Sequence, residues 1–378
     1  LLDVTRSDKR KYKFSHDRIQ EAATSFLSDE ESDKLKIKIG KALQKHGLDM
    51  DEEWMLFTAV NHLNSVHSLL EDKVDLARLN SITAKMSIEK ASFDSAVILL
   101  RAGVGCLDKK SRWEENYDLT LELFNLLLQT EFSTGNHQGC QVAVDQVLLN
   151  AMTLREKELA HYYSVELITQ GKSRNHVLAS NLASSIVRQY GIKLPNDDCN
   201  ELDVKKEENL LKAAMHENKL SDIVDMPLME DSMLIAFMAQ LSQGFLLRGE
   251  ESQFVIVVMT AIRLCTTRGL SKDLPFMICC YAGYLIRVRK DKKEAIRFGY
   301  LACDMLNKSI IFKGPQWVKC MCLLQASISP LYSPFKDSLK IFLEIYSQGL
   351  RYNELTWGFN ASWLYFWAYF CSGIQMDA

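Results

Sequence analysis

The fold class is decided by two stretches joined by a polar turn: Cys280-Tyr281-Ala282-Gly283-Tyr284 and Lys290-Asp291-Lys292-Lys293-Glu294-Ala295-Ile296-Arg297-Phe298-Gly299-Tyr300-Leu301-Ala302. Small residues in both stretches, such as Gly283, Ala295 and Ala302, allow two paired helices to approach closely, while the aromatic side chains fill the remaining space. Lys290 and Asp291 supply the turn. The pattern predicts a hairpin of two α-helices.

Similar turns recur along the chain at a nearly constant interval. Turn-forming residues followed by an alanine- or leucine-rich stretch lie at 93–94, 135–136, 171–172, 249–250, 290–291 and 333–334. A period of about 40 residues, with two helices per unit, is typical of stacked helical repeats related to tetratricopeptide or armadillo arrays. We therefore expect an all-α fold and, more specifically, a tetratricopeptide-like α-α superhelix, or solenoid.

The proline content agrees with a helical chain. There are 6 prolines in 378 residues, whereas average usage of about 5% gives roughly nineteen. The first is Pro195. Because proline removes a helical hydrogen bond and clashes with the preceding turn, the long proline-free stretch indicates helix after helix. Pro315 and Pro334 each follow a turn residue, so we expect them at the first position of a helix.

Helix starts are also predicted by three capping boxes, in which a Ser or Thr is followed three residues later by Glu: Ser28–Glu31, Ser111–Glu114 and Thr153–Glu156. After the first of them, apolar residues at helical spacing predict an amphipathic helix that ends near Gly47. The predicted apolar face consists of Leu35, Ile39, Ala42 and Leu43.

The domain organisation follows from one interval of about twice the usual length, in which we predict a loop, a short charged helix around residues 205–208 and a second loop. We assign residues 51–194 to the first half of the repeat array, 195–230 to an irregular connection and 231–378 to the second half. Residues 1–50 differ in character from the rest. Since the chain starts without methionine and ends beside an apolar segment, we expect a fragment truncated at its C-terminus.

Composition excludes several classes of protein. The net charge is −3, from 45 Lys and Arg against 48 Asp and Glu, so the chain lacks the basic character of a nucleic-acid-binding domain. The longest apolar run, residues 254–262, is too short to cross a bilayer. Ten cysteines at irregular intervals and no signal peptide fit buried thiols in a reducing compartment. We expect a cytoplasmic protein with no nucleic-acid or membrane partner.

No motif in the sequence predicts a catalytic residue. Gly171-Lys172-Ser173 imitates the end of a phosphate-binding loop, but Glu166 occupies the position of the required glycine. Four cysteines allow two interpretations, a zinc site or thiols of the helical core: Cys279, Cys280, Cys320 and Cys322. The core interpretation is favoured because all eight histidines lie at or before His216. We therefore expect no metal site.

The C-terminal end is rich in aromatic residues: Trp357, Phe359, Trp363, Tyr365, Phe366, Trp367, Tyr369 and Phe370. They form either a ligand groove or partner surface, or the core side of a helix pair whose covering repeat is missing. The second interpretation is favoured, because solenoid repeats require a capping neighbour.

The N-terminal segment Lys11-Tyr12-Lys13-Phe14-Ser15-His16-Asp17-Arg18-Ile19-Gln20-Glu21-Ala22-Ala23 runs from a short extended stretch into a helix. It resembles the STAND group of regulatory AAA-type ATPases, in which Phe-x-His-Asp closes the winged-helix lid. Residues 59–64, 76–96 and 113–119 recur in the same order in large multidomain signalling proteins of this kind. Those proteins carry a protein-kinase-like domain, the ATPase, a tetratricopeptide-like region and sensor or histidine-kinase modules.

The resemblance implies that residues 1–50 are the end of a winged-helix lid and that the machinery for ATP or ADP with Mg²⁺ lies upstream of Leu1. It implies no cofactor for this segment, except that His16 either contacts the β-phosphate of ADP or packs the lid helix. The expected function is a non-catalytic regulatory region that binds a protein, a regulatory ligand or other domains of the same chain, with oligomerisation through the parent ATPase left open. Two alternatives remain: a helical enzyme with an apolar pocket near the aromatic C-terminal region, and a static scaffold.

Overall fold

A computed structural model describes residues 2–5, 11–14, 18, 22, 25–50, 52–171, 175–196, 198–217, 226–308 and 310–373. These residues are almost entirely helical, which confirms the predicted all-α class. The chain divides into two compact units, residues 1–151 and residues 152–378. No helix in the described part of the chain is long and apolar enough to span a membrane.

The first unit begins with two strands, β1 (Leu2–Thr5) and β2 (Lys11–Phe14), which pair antiparallel with Leu2 opposite Phe14. Seven helices follow in the described part of this unit: α1 (Asp29–Met50), α2 (Glu53–Ser65), α3 (Lys73–Glu89), α4 (Phe93–Cys106), the short α5 (Arg112–Glu115), α6 (Tyr117–Ser133) and α7 (His137–Asn150). Sequential helices pack in pairs, α1 on α2, α3 on α4 and α6 on α7.

The second unit contains ten described helices: α8 (Leu154–Gln170), α9 (His176–Gln189), α10 (Glu201–Glu217), α11 (Ser232–Leu247), α12 (Glu251–Arg268), α13 (Leu274–Tyr284), α14 (Lys292–Lys308), α15 (Pro315–Leu323), α16 (Phe335–Arg351) and α17 (Leu355–Cys371). Helices α13 and α15 continue into π-helical turns at Leu285–Arg289 and Leu324–Ile328.

The helix pair that decided the fold class forms as predicted. Residues 280–284 lie in α13 and residues 292–302 in α14, and the two helices pack together. Ala282, Ala295 and Ala302 are fully buried between their neighbours. The rings of Tyr281 and Phe298 meet edge to face with centroids 5.0 Å apart. These alanines therefore bring the helices close, and aromatic residues fill the space beside them. The prediction for Gly283 is wrong, because a methyl group there would meet only the tip of Arg287, at 3.5 Å.

Alternate helices of the second unit also contact one another. Helix α11 packs on α8 and α13, α13 packs on α15, and α15 packs on α17. The helices between them, α12 and α14, each pack on a sequence neighbour in this row. The row of alternate helices is the layer on which the candidate site is built.

Two of the three predicted capping boxes form. The Thr153 hydroxyl accepts from the Glu156 backbone N–H at 3.2 Å, and Glu156 accepts from the Thr153 backbone N–H at 2.8 Å. The box at Ser28 and Glu31 has the same reciprocal bonds. The third prediction is wrong, because the Ser111 hydroxyl instead donates to Asp108 and Glu115. Pro315 begins α15 as predicted, whereas Pro334 precedes α16 by one residue.

The predicted apolar face of α1 is not the face that packs. Leu35 and Ile39 are exposed, and the helix continues past Gly47 to Met50. Its buried residues are Gly40 and Gly47, whose missing side chains admit Leu63 and Leu56 of α2. A methyl group at Gly40 would lie 2.7 Å from Leu63, so close approach of the two helices, and not side-chain apolarity, selects the buried face.

The region predicted as an irregular connection contains a longer helix than expected. Helix α10 extends well beyond the charged stretch at 205–208 and packs on α12, with Val204 and Leu211 buried. Helices α9 and α11, on either side of the connection in sequence, also pack together. The predicted division into repeat halves stays a prediction. The apolar run 254–262 lies in α12 and is almost entirely buried in the core.

Candidate functional site

The second unit contains a half-open cavity of about 200 Å³ on the row of alternate helices. Six helices line it: α8, α9, α11, α13, α15 and α17. We call this cavity the polar cleft and define it by its principal lining residues: Tyr162, Glu166, His176, Gln240, Asp273, Phe276, Lys319, Glu354 and Trp357. Three carboxylates, one ammonium group and three aromatic rings therefore converge on a space of molecular size.

Lys319 lies at the centre of the charged groups. Its Nζ atom is 3.3 Å from Oε2 of Glu354, and their side chains are only 17% and 19% exposed. Burial alone would lower the pKa of the Lys319 ammonium, but Tyr162 and the carboxylates of Glu354, Asp273 and Glu166 raise this pKa well above its usual range. Lys319 is thus held as a cation by the groups around it.

Asp273 and Glu354 occupy equivalent positions, each as the residue that precedes a helix, α13 and α17 respectively. Neither carboxylate caps its own helix. Burial raises the pKa of both carboxyl groups, although the Lys319 ammonium opposes the shift and Gln316 donates a hydrogen bond to Asp273. Keeping these carboxylates ionised in the cleft therefore costs part of their hydration free energy.

Glu166 is held by two amide side chains. Nε2 of Gln170 donates to its Oε2 atom at 2.7 Å, and Nε2 of Gln240 donates to its Oε1 atom at 2.6 Å. The Gln240 amide also donates to the carbonyl oxygen of Tyr162 at 3.2 Å. Both partners of this amide nitrogen are acceptors, so the orientation of the Gln240 side chain is determined. Its Oε1 atom exposes less than 1 Å² and has no hydrogen-bond partner among the described residues.

The walls of the polar cleft are partly aromatic. The rings of Phe276 and Trp357 meet edge to face with centroids 5.8 Å apart. Burial raises the pKa of the Tyr162 phenol, which therefore stays protonated at neutral pH. Aromatic faces beside carboxylates favour positive charge, since the ring quadrupole attracts cations.

Two hydroxyl groups of the cleft, those of Thr169 and Ser180, are not arranged as nucleophiles. Thr169 donates to the carbonyl oxygen of Glu166, and Ser180 donates to that of His176. Both hydroxyls are therefore engaged by the backbone of their own helices, whereas an activated nucleophile is hydrogen-bonded to a base.

Two of the segments singled out in the sequence fall outside the described residues. His16 lies in the segment 15–17, and Lys172 and Ser173 lie in the segment 172–174. The preceding stretch 167–170 is helical, as predicted, and belongs to α8. The role of His16 towards ADP therefore stays a prediction.

The four cysteines with two interpretations lie in helices α13 and α15. Cys279, Cys320 and Cys322 are buried and Cys280 is half-buried, all without disulfides. The Cys279 thiol lies 4.0 Å from the carbonyl oxygen of Cys320. Within the described residues, no group of His, Cys, Asp or Glu is placed to hold a metal ion. These thiols pack in the core of the second unit.

The aromatic C-terminal region forms helix α17, and one face of it is exposed. Five large side chains on this face are more than half exposed: Phe359, Trp363, Phe366, Trp367 and Phe370. Trp357 instead packs on Phe276 in the polar cleft. Both predicted interpretations of the aromatic face stay open.

Sequence reasoning missed the polar cleft entirely. Its charged residues range from Glu166 to Glu354 and come from separate helices, so no local spacing connects them. The signal that could have been noticed is polar residues at interior positions, such as Lys319 between the core residues Val318 and Cys320.

Comparison with protein-family models and with curated proteins yields no match to this chain. The resemblance to the helical region of STAND-type ATPases therefore stays a prediction.

Proposed function

We propose that the chain is a non-catalytic regulatory and interaction region of a signal-transduction ATPase of the AAA/STAND type. The observation that carries this proposal is the polar cleft on the row of alternate helices α11, α13, α15 and α17. In tetratricopeptide-like superhelices, one helix of each pair lines a concave surface that binds partners. Contacts between alternate helices support such stacking within the second unit, and the cleft supplies a place for a ligand or partner.

The proposal includes the parts that come from the resemblance. Residues 1–50 would be the end of a winged-helix lid, and the chain would be cytoplasmic. The upstream ATPase would bind ATP or ADP with Mg²⁺, and occupation of the cleft would bias its nucleotide switch. The engaged hydroxyls of Thr169 and Ser180 support a binding role for the cleft.

A helical enzyme is the second candidate, and one observation favours it. An enzyme near the aromatic C-terminal region requires convergent titratable groups in a pocket. The polar cleft brings Glu354, Lys319 and Asp273 together beside Trp357. Against an enzyme stands the engagement of the Thr169 and Ser180 hydroxyls, which donate to backbone carbonyl oxygens and not to a base.

Three measurements test the regulatory function. The coding sequence upstream of Leu1 should encode Gly-x-x-x-x-Gly-Lys-Ser/Thr within a few hundred residues. If this motif is absent there, the proposed nucleotide switch is wrong and the static scaffold is the remaining interpretation. The 378-residue chain alone should hydrolyse ATP no faster than buffer. In the full-length protein, H16A should weaken ADP binding, and unchanged affinity would remove His16 from the site.

A further inference from the structure

We infer that the hairpin of α16 and α17 is a self-association surface, on which the same hairpin of a second copy of this chain packs to form a four-helix bundle. We call this surface the hairpin face and define it by Leu343 and Leu350 on α16 and the five exposed rings of α17. Neither the polar cleft nor the proposed nucleotide switch is needed for it.

Helix α17 is apolar on both of its sides. It contains no charged residue between Leu355 and Cys371. Its inner side is buried through the small residues Gly358, Ala361 and Ala368, whereas its outer side carries the exposed rings. A helix that is hydrophobic all round is normally buried all round. The outer side of α17 therefore lacks a cover that its composition requires.

Helix α16 extends the apolar surface beyond α17. The ring of Tyr346 lies beside that of Phe359, with centroids 6.1 Å apart. Leu343 and Leu350 are three and four residues from Tyr346, so they share its side of the helix, and both are exposed. The backbones of the two helices meet closely at Gly349 and Gly358. The hairpin face is therefore one continuous surface on a close-packed pair of helices.

The area of the hairpin face is that of a dimer interface. Its five rings are each between 52% and 75% exposed. Since one aromatic side chain offers about 150–250 Å² of surface, these rings leave roughly 500–800 Å² uncovered. The largest apolar patch of a monomer is about 300–600 Å². Each partner in an interface of standard size buries about 800 Å², which the rings and the two leucines together approach.

The absence of charge on α17 favours a second copy as the partner. In a two-fold interface the same surface meets itself, so a face of one charge sign would repel its copy. The uncharged rings meet without this penalty, and exposed residues of both signs on α16, such as Lys340, Glu344 and Arg351, can form a polar rim. A lipid surface fits less well, because helices that lie on membranes carry Lys or Arg on their polar side. Two apolar hairpins packed face to face form a four-helix bundle.

Light scattering during size-exclusion chromatography tests the association. The molar mass of the 378-residue chain should rise from 43.2 kDa to twice this value with concentration and then stay constant. Interfaces of this size have micromolar or lower dissociation constants, so the dimer should dominate by about 100 µM. A chain that stays monomeric at this concentration would overturn the inference. So would growth beyond two copies, since a two-fold interface is closed.

A charge placed on the face locates the interface. F366E should raise the dimer dissociation constant at least about tenfold, because two copies would bring glutamates into one apolar contact. The far-ultraviolet circular dichroism should be unchanged, since Phe366 is exposed. The matched control is F26E, the same substitution at an exposed residue of the first unit, which should leave the dissociation constant unchanged. If F366E dimerises as tightly as the unmodified chain, the interface lies elsewhere and the inference fails.

The full-length protein tests whether its own chain covers the face instead. Copies with light and heavy isotopes are mixed and treated with a lysine cross-linker, for which Lys336 and Lys340 on α16 are exposed targets. Links between these lysines that join a light to a heavy copy are expected, and F366E should remove them. Links that join Lys340 only to residues beyond Ala378 of the same copy would overturn the inference.

Discussion

Lys319 and Glu354 join two helices through an ion pair that is largely withdrawn from solvent. The ammonium group belongs to α15, and the carboxylate precedes the first residue of α17. Because Asp273 and Glu166 also act on Lys319, this cation compensates carboxylates from three places in the sequence. The pair therefore governs both the stability of the second unit and the charge of the polar cleft.

Replacing Lys319 should destabilise the protein strongly. K319M leaves the carboxylates of Glu354 and Asp273 without their counter-charge, and breaking a buried pair from one side costs about 3–5 kcal/mol. Because the side chains of Lys319 and Glu354 keep some exposure, we expect the lower end of this range, a loss of about 3 kcal/mol in the free energy of unfolding by urea. The control K340M, at an exposed position on α16, should change it by less than about 0.5 kcal/mol. Equal effects of the two variants would contradict this role of Lys319.

The pH dependence of stability should reveal Glu354. Burial raises its pKa above the ordinary value of 4.5, so the folded state holds the proton more tightly than the unfolded state does. The contribution of Glu354 is then greatest below pH 4.5 and is lost as the pH rises through the folded pKa. The groups that face it are Lys319, Glu166 and Asp273.

E354Q removes this titration. The variant should match the unmodified chain near pH 4 and become relatively more stable as the pH rises towards 7, as measured by urea unfolding at each pH. For E344Q, at an exposed position on α16, the corresponding difference should not vary with pH. A difference that shrinks as the pH rises would show that the pKa of Glu354 is lowered in the folded state.

The contact between α16 and α17 depends on two glycines. A methyl group at Gly349 would lie 2.7 Å from the Cα atom of Gly358, a distance that requires the backbone to move. G349A should therefore cost about 1–3 kcal/mol of stability. At Gly283 in α13, the added methyl meets only the tip of Arg287 at 3.5 Å. G283A should be neutral or stabilise by up to about 1 kcal/mol, and thermal unfolding of both variants checks the contrast.

A reciprocal amide pair should couple α2 to α3 in the first unit. Asn64 and Asn80 each donate to the other's side-chain oxygen at 2.9 Å, and Asn80 is fully buried. Either alanine variant leaves the other amide without its partner, at a cost of about 1–3 kcal/mol. In a double-mutant cycle, N64A and N80A should show a coupling of at least about 0.5 kcal/mol. The exposed neighbour Asn61 provides the control, since N61A with N80A should show no coupling.

The helical class, several helix starts and one helix pair could be predicted from the sequence, because they depend on local properties. Proline scarcity, turn residues and the capping boxes at Ser28 and Thr153 act within a few residues, and their effects appear in the structure. The wrong prediction for the face of α1 shows the limit. There a partner helix selected Gly40 and Gly47 for burial, and their neighbours on α2 cannot be read from α1.

What the sequence by itself determined is therefore the helical class, the pairing of α13 with α14 and the burial of Cys279, Cys320 and Cys322, since these follow from local propensity and residue size. Only the tertiary structure decided the polar cleft. Lys319 follows a core valine in sequence. No residue close to it along the chain indicates that Asp273, Glu354 and Glu166 are its partners. The physical reason is that electrostatic and hydrogen-bond energies depend on distance in space, and stacked helices bring together residues that lie far apart along the chain.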